Sequence, residues 1–464
     1  MADTDMLIIG GGPAGYVAAI RARQLGAKVT LIEREALGGT CLNRGCIPAR
    51  AMVRAVELID LPKKAREYGI IFPAPEIDFI KIIARKDTIV KTVGGGVRSL
   101  MNENGVEVIK GKAKFISPRE VQVQTENGMQ NIASQRIIIA AGASTTKPSV
   151  PGADSIITTT EALAFKEIPH SLLIVGAGPI GVAFAIIYAR LGSNVTIIEE
   201  SAEVLKGFDR EITAIMAREL RKEKVKVLTE TKMLAFENDK AVLKMKDKEE
   251  AYAVEIVLVA DSRSANVNDI GLENTGINFE NDHIGVNTSF ETNVPGIYAA
   301  GDVAGGPMLA HAAFSGGRIA AESALGKQST MDLNTVPRCI YTFPEIACVG
   351  LTEEEAVSKG YQVRCGKFPF SANGLATVLG ERGGLVKVVS ETKYGQILGV
   401  HILGPNATEL ISEAVLAMRL EEPPQVLGST IHAHPTLSEA LMEAALDVNG
   451  ETLHSVSKNI RGTN

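Results

Sequence analysis

The sequence predicts an α/β protein in which two Rossmann-like units precede an α+β C-terminal domain. Three observations carry this. At 464 residues the chain is too long for one ordinary core and suggests about three domains. A pattern of strand, glycine turn, helix and strand occurs twice, over residues 5–33 and 171–199. Beyond residue 336 the composition turns strand-rich and then helical.

The first repeat, DMLIIGGGPAGYVAAIRARQLGAKVTLIE, sets Gly10, Gly12 and Gly15 in GxGxxG and closes its second strand on Glu33. Glycines there permit a tight turn, close approach of backbone to a pyrophosphate and close helix packing, while the helix N-terminus offers N–H groups and a positive dipole end. Glu33 can accept hydrogen bonds from ribose hydroxyls. The second repeat, SLLIVGAGPIGVAFAIIYARLGSNVTIIEE, places Gly176, Gly178, Gly181 and Glu199 in the same way, the acid following the first glycine by 23 residues in both. Two dinucleotide units in one chain suit electron transfer between two dinucleotides. Glu199 would repel a ribose 2′-phosphate and bond a free 2′-hydroxyl, which favours NAD over NADP despite the positive Lys206 and Arg210 nearby.

Between the repeats, GGTCLNRGCIPAR holds two of the five cysteines, Cys41 and Cys46. In an ideal helix residues five apart have Cα atoms roughly 8 to 9 Å apart, and a disulfide needs less than about 7 Å. The pair can therefore close only across a distorted turn. Gly45 supplies the freedom for it, and Pro48 suits the first turn of the helix that AMVRAVELI continues. On spacing alone, two buried small hydrophobes remain the alternative.

Composition narrows the choice. Hydrophobic residues at 45% and charged residues at 22% are ordinary for a globular protein, and a formal charge of -6 argues against nucleic-acid binding. The N-terminus MADTDMLIIGGG lacks a basic leader, and no apolar run reaches the eighteen or so residues of a membrane span, so a cytoplasmic protein is expected. In a reducing compartment a close cysteine pair is catalytic, sensing or metal-binding rather than structural. Cys339, Cys348 and Cys365 are scattered and read as buried or surface thiols.

The remaining segments follow in order. Helix runs to about Tyr68, a loop IIFPAPEIDF follows, and a second helix covers roughly Phe79 to Asn104, where the triplet Gly94–Gly96 weakens the case for continuity. VEVIKGKAKFISPREVQVQ and IIIAAGAS read as strands, RIIIAAG as a core strand, and TTKPSVPG as a linker. Divisions follow at 1–147, 148–270, 271–336 as a central segment completing the first unit's site, and 337–464. In IYAAGDV, Asp302 could bond a polyol or ribose hydroxyl, or cap a turn. In IHAHPTLSEALMEAAL, His432, His434 and Glu439 lack a convincing further metal ligand. An imidazole at His434 held by a carboxylate would instead shuttle a proton to a thiol.

Taken together, GGTCLNRGCIPAR, the two GxGxxG units, IYAAGDVAGGPMLAHAA and HAHPTLSEA resemble the flavin-dependent pyridine nucleotide-disulfide oxidoreductases over nearly the full length, in the dihydrolipoamide dehydrogenase branch. The resemblance implies FAD on Gly10, Gly12, Gly15, Glu33, Gly142 and Asp302, with Arg50 near the flavin, and NAD on Gly176, Gly178, Gly181 and Glu199. Cys41 would exchange with substrate, Cys46 would face the flavin, and His434, oriented by Glu439 and followed by a cis bond to Pro435, would act on the partner subunit's cysteines in a homodimer. The substrate implied is dihydrolipoamide on a separate lipoyl-carrying protein. Glutathione and mercuric reductase activities fit less well, given Glu199 and the absence of a C-terminal cysteine pair.

Several positions depart from the pattern. The usual CIPSK lysine is Arg50, the acid expected after the second GxGxxG is Phe184 beside the nicotinamide site, GRxPN becomes Ser262-Arg263-Ser264-Ala265-Asn266 after Asp261, and Arg44 replaces a common valine. Uncompensated charge on Arg50 is then expected to stabilise reduced flavin and disfavour NAD reduction. This keeps open a redox-responsive flavoprotein subunit, or a reductase of another small disulfide.

Overall fold

The computed structural model describes residues 2–457 apart from 247, 262, 281 and 282, so Ser262 lies outside the described residues. Met6–Ile9, buried along its length, is the central strand of a five-stranded parallel sheet in the order Ile297–Ala299, Ile137–Ile139, Met6–Ile9, Val29–Glu33, Glu107–Lys110. The inner strands read as unbroken apolar runs because both faces are covered. On one face the helix Pro13–Gln24 packs against Ala310–Ala324. On the other, Phe115, Val121, Val123 and Ile132 of an antiparallel meander close over Leu7 and Ile9.

The chain leaves this unit through Ala143–Thr145 and returns through Arg263–Ala265, two strands that pair antiparallel with Arg263 opposite Thr145. Between them lies the second unit. Its parallel sheet runs Lys226–Leu228, Asn194–Ile198, Ser171–Val175, Ile256–Val259, with an antiparallel three-stranded sheet beside it. The last domain is a five-stranded antiparallel sheet, Arg338–Ile340, Glu345–Gly350, Ile397–Gly404, Leu385–Glu391, Val363–Pro369, covered by the helices Ala407–Arg419 and Glu439–Asp447. This is the α/β architecture with an α+β C-terminal domain that the sequence predicts.

One local expectation changes. The helix Phe79–Glu103 runs unbroken through Gly94–Gly96. Its Asp78 cap accepts from the Lys81 N–H at 3.0 Å, and Gly94 lies against Leu42, where a Cβ would sit 3.6 Å from the leucine Cδ2. Burial of Phe79, Gly94, Val97 and Met101 along one stripe outweighs the weak propensity of the triplet.

Candidate functional site

The cysteine stretch folds as two helices broken at one residue. Gly39–Arg44 carries Cys41, Gly45 interrupts at φ −138° and ψ −109°, and Cys46 opens the helix Cys46–Ile59. A Cβ on Gly45 would stand 3.0 Å from the Thr40 carbonyl oxygen and 3.4 Å from the Cys41 Cα, a tight approach that glycine relieves where the break closes over Cys41. The turn brings the two thiols within hydrogen-bond reach of each other. That contact is the largest cause of opposite shifts. It lowers the Cys46 pKa, helped by the residue's own helix-start N–H and by Arg263 and opposed by desolvation and Asp302. It raises that of Cys41, to which burial and Asp302 add. In the reduced pair the helix-start N–H and Arg263 favour negative charge on Cys46, whereas burial and Asp302 disfavour it on Cys41.

Asp302 follows the edge strand Ile297–Ala299 of the first sheet and pairs with Arg263 at 2.7 Å. By sequence alone Arg263 reads only as part of an altered stretch. The arginine and asparagine of GRxPN nevertheless persist as Arg263 and Asn266, which brace the surroundings of the thiols and of Gly142. The Asn266 Nδ2 donates to the Ala141 carbonyl at 2.8 Å, its backbone N–H donates to Gly142 O at 2.9 Å, and Ser144 Oγ donates to its Oδ1 at 2.7 Å.

The two glycine turns are geometrically alike. Gly10 and Gly176 have φ of 103° and 101°, and a Cβ on Gly15 or Gly181 would lie 1.8 or 2.0 Å from the oxygen of Gly10 or Gly176. Helix and strand therefore approach more closely than any side chain permits. In each turn the terminal acid reaches back. Glu33 accepts from the N–H groups of Gly11 and Glu35, both at 2.7 Å, and Glu199 from those of Ala177 and Ser201, both at 2.8 Å. Over Gly12 a Cβ would meet only Gly39 Cα, in ordinary contact at 3.7 Å, and a hypothetical Cβ on Gly178 comes no nearer than 3.4 Å to Asp261.

These features fit the dinucleotides. At the carboxyl ends of the first sheet, beside Glu33, a cleft of about 290 Å³ is lined by Ile9, Ile32, Arg34, Lys112, Asn266 and Asp269, a largely polar wall with two cations and one carboxylate that has room for the adenosine end of a dinucleotide. No sequence motif points to Arg34 or Lys112. At the second turn, burial together with Glu199 and Glu200 pushes the Asp261 carboxyl up, which marks an acidic surrounding hostile to a 2′-phosphate.

Arg50 and Phe184 do not behave as expected. Phe184 is 4% exposed and stacks on Tyr188 at 6.4 Å, so its ring is taken up by the hydrophobic core. Its neighbour Ala183 is half-buried outside that core, and the helix Pro179–Leu191 contains no acid at all. Nor is Arg50 uncompensated. Its Nη2 lies 3.0 Å from Glu345 Oε1, its guanidinium stacks 4.6 Å over the Tyr341 ring, and both partners belong to the last domain. Arg44 pairs with Glu35 at 2.5 Å.

His434 Nδ1 lies 2.8 Å from Glu439 Oε1, and the other Glu439 oxygen accepts from the Thr436 N–H at 2.7 Å. Burial opposes ionisation of Glu439, but the Thr436 N–H and His434 prevail and its pKa falls. The His434–Pro435 bond is cis. Within one chain the imidazole is 78% exposed on the last domain, whereas the charged groups acting on the cysteines are Asp302 and Arg263. His432 faces Glu413 at 3.0 Å instead, and no cluster of three or more metal-ligating side chains occurs among the described residues. A third imidazole–carboxylate pair, His454 with Glu443 at 2.6 Å, has no sequence signal of its own, its histidine lying twenty residues beyond His434. Burial pushes the thiols of Cys339, Cys348 and Cys365 up, to about 12, about 11 and about 12.

Two nucleotide-binding turns, a polarised thiol pair and a carboxylate-held imidazole define a dithiol–disulfide oxidoreductase working with two dinucleotides. Residues 4–317 match the pyridine nucleotide-disulphide oxidoreductase family, and 336–445 match its dimerisation domain. The chain is 43% identical over 463 residues to a dihydrolipoyl dehydrogenase of Thermus scotoductus, covering 98% of this chain and 99% of that protein. A dihydrolipoyl dehydrogenase of Bacillus subtilis is 41% identical over 471 residues, with 97% and 99% covered. Among solved structures, the Cu(II) complex of the HOCl-induced flavoprotein disulfide reductase RclA from Escherichia coli superposes with a TM-score of 0.86 at 29% identity, covering 96% of this chain and 99% of that one. The chain belongs to the pyridine nucleotide-disulphide oxidoreductase family, and it is an enzyme that uses FAD and NAD.

Proposed function

We propose that this chain, as a homodimer in the cytoplasm, oxidises dihydrolipoyl groups carried on a separate protein. The observation that carries the reading is the Cys41–Cys46 contact at a helix start, beside Asp302 and Arg263 and next to the first nucleotide turn. Units 1–147 and 271–336 would hold FAD through Gly10, Gly12, Gly15, Glu33, Gly142 and Asp302. Unit 148–270 would hold NAD through Gly176, Gly178, Gly181 and Glu199, and 337–464 would form the subunit interface. When bound, FAD supplies the two-electron relay by which the electron pair of a substrate dithiol reaches NAD, one proton being released to solvent.

The chain's own residues do the rest. With Cys41 and Cys46 joined as a disulfide, the deprotonated substrate sulfur would attack Cys41 Sγ, forming a mixed disulfide as the Cys41–Cys46 bond breaks and Cys46 leaves as thiolate; the second substrate sulfur would then displace Cys41, closing the lipoyl disulfide. Cys46 is the sulfur whose charge the helix start and Arg263 stabilise. Glu439 holds His434 through Nδ1, which leaves Nε2 to take the proton from the incoming thiol. The exposure of His434 in a single chain supports its serving the partner subunit's thiols.

Anaerobic addition of dihydrolipoamide to the yellow holoprotein should bleach the flavin, and NADH should do so separately. Reduction by neither would sink the proposal, while reduction by NADH alone would favour another small disulfide as substrate. The alternative of a redox-responsive subunit draws on Arg50, Phe184 and the altered GRxPN stretch, and the Glu345 contact weakens the first of these grounds.

A further inference from the structure

Cys46 and Arg50 are four residues apart on the helix Cys46–Ile59 and so share one face. Arg50 reaches from it to the last domain, where Glu345 is fixed from behind. The second Glu345 oxygen accepts from Thr408 Oγ1 at 2.7 Å and from the Thr408 N–H at 3.2 Å, and the side chain is 13% exposed. Tyr341 supplies the stacking face at 4.6 Å. Burial and then Cys339 push the Tyr341 phenol up, Arg50 opposes them, and Glu345 and Cys46 add to the rise, so these groups share one electrostatic neighbourhood. The helix Pro179–Leu191, packed against Cys46–Ile59, offers no carboxylate, and its one charged residue, Arg190, turns to Asp60 and Glu223.

We infer that Glu345 and Tyr341 are positioning residues that clamp Arg50 and cancel its charge beside the thiol pair, the counter-acid coming from the last domain rather than from the second glycine-turn helix. The inference rests on the redox reading of Cys41 and Cys46. An arginine cannot shed its proton. Solvent screens its charge only in part, since the side chain is half-exposed, and an opposite charge held in register with it, a carboxylate fixed by two Thr408 donors, offsets the rest. The field at Cys46 is then left to Cys41, Arg263, Asp302 and the helix start.

The test uses holoprotein with Cys41→Ser, so that Cys46 is the reporting thiol, and follows thiolate absorbance against pH. In this background Glu345→Gln keeps an acceptor for Thr408 but removes the charge. The thiolate fraction at a pH within the transition should rise about two- to fivefold, a modest change because Arg50 is partly exposed. Adding Arg50→Gln should return the curve to that of the Cys41→Ser parent. Tyr341→Leu, which removes the stacking face, should shift it in the same direction by less, and serves if Glu345→Gln does not fold. Curves that coincide with the parent, or a double variant that does not return, overturn the inference. Dihydrolipoamide turnover by the wild-type enzyme, measured alongside, keeps the two failures apart: an unmoved titration with turnover intact removes the clamp alone, and a shifted titration without turnover removes the substrate assignment alone.

Discussion

Lys387 lies in the seam between the second unit and the last domain, its side chain 2% exposed, with Asp209, Glu211 and Glu353 at 2.8, 2.9 and 2.7 Å. Lys387→Met keeps most of the volume and removes the cation. Deleting one partner of a buried ion pair costs about 3–5 kcal/mol. Here Glu211 keeps Lys367 at 2.6 Å, and Glu211 and Glu353 are both 40% exposed, so solvent relieves them. The cost falls mainly on Asp209, whose side chain is 0% exposed, which sets the expected loss near the lower limit, about 3 kcal/mol. At about 2–4 °C per kcal/mol for domains of this size, calorimetry of the holoprotein at neutral pH should show the melting temperature lower by about 6–12 °C. The pH dependence has a definite sign. Burial opposes ionisation of Asp209, but Lys387 holds its pKa below the usual value, so its contribution is present above the unfolded value of about 3.9 and lost as pH falls through the folded one. Without Lys387 the buried carboxyl titrates upward and folding takes up a proton, so the variant's deficit should shrink on acidification, and Asp209→Asn should recover part of it. A melting temperature within about 2 °C of wild type, or a deficit independent of pH, would refute the reasoning.

Other outcomes follow from the site. His434→Gln should lower kcat for dihydrolipoamide oxidation by about 10²–10⁴-fold with the flavin spectrum unchanged, as removal of a general base does, read by steady-state kinetics. Glu199→Gln should raise the NADP to NAD ratio of kcat/KM by about tenfold, because a like charge facing a 2′-phosphate is removed. His454 has its pKa raised by the Glu443 hydrogen bond and charge, so its contribution to stability is complete below the ordinary histidine value and lost as pH rises through the folded one. Proton NMR titration of its ring should show the raised midpoint, and Glu443→Gln should return it to the ordinary range.

What is legible in the sequence depends on how local the signal is. Both glycine turns, their terminal acids and the cysteine turn are written within about thirty residues of chain each, and they can be read because period, glycine spacing and terminal acid agree. The imidazole–carboxylate pair His434–Glu439 is legible for the same reason, five residues apart. The partners of Arg50 and Asp302 are not, because Glu345 is 295 residues away from the first and Arg263 reaches Asp302 from the far end of the second unit. The unbroken helix through Gly94–Gly96 escapes a sequence reading on similar grounds. Propensity is local, and the packing that overrides it comes from Leu42 and the neighbouring helices.

The helix Cys46–Ile59 is accordingly more than the carrier of one thiol. Near its start Arg50 is bound to Glu345 and Tyr341 of the last domain. At its end Asp60 is bound to Arg190 at 2.9 Å, and Arg190 also holds Glu223 at 2.6 Å in the second unit and stacks 4.2 Å over Phe343 in the last domain. Arg263, on the strand by which the chain returns from the second unit, acts on Cys46 itself. A redox helix tied to the first unit only by apolar packing could shift when either neighbour moved. One whose two charged ends are held by the other two units keeps its thiol in register with both nucleotide turns, since displacing either unit must break an ion pair on this helix. Arg50, the departing charge on this helix, thus lies where three units meet, which is the place where a change in one residue requires a partner from another unit.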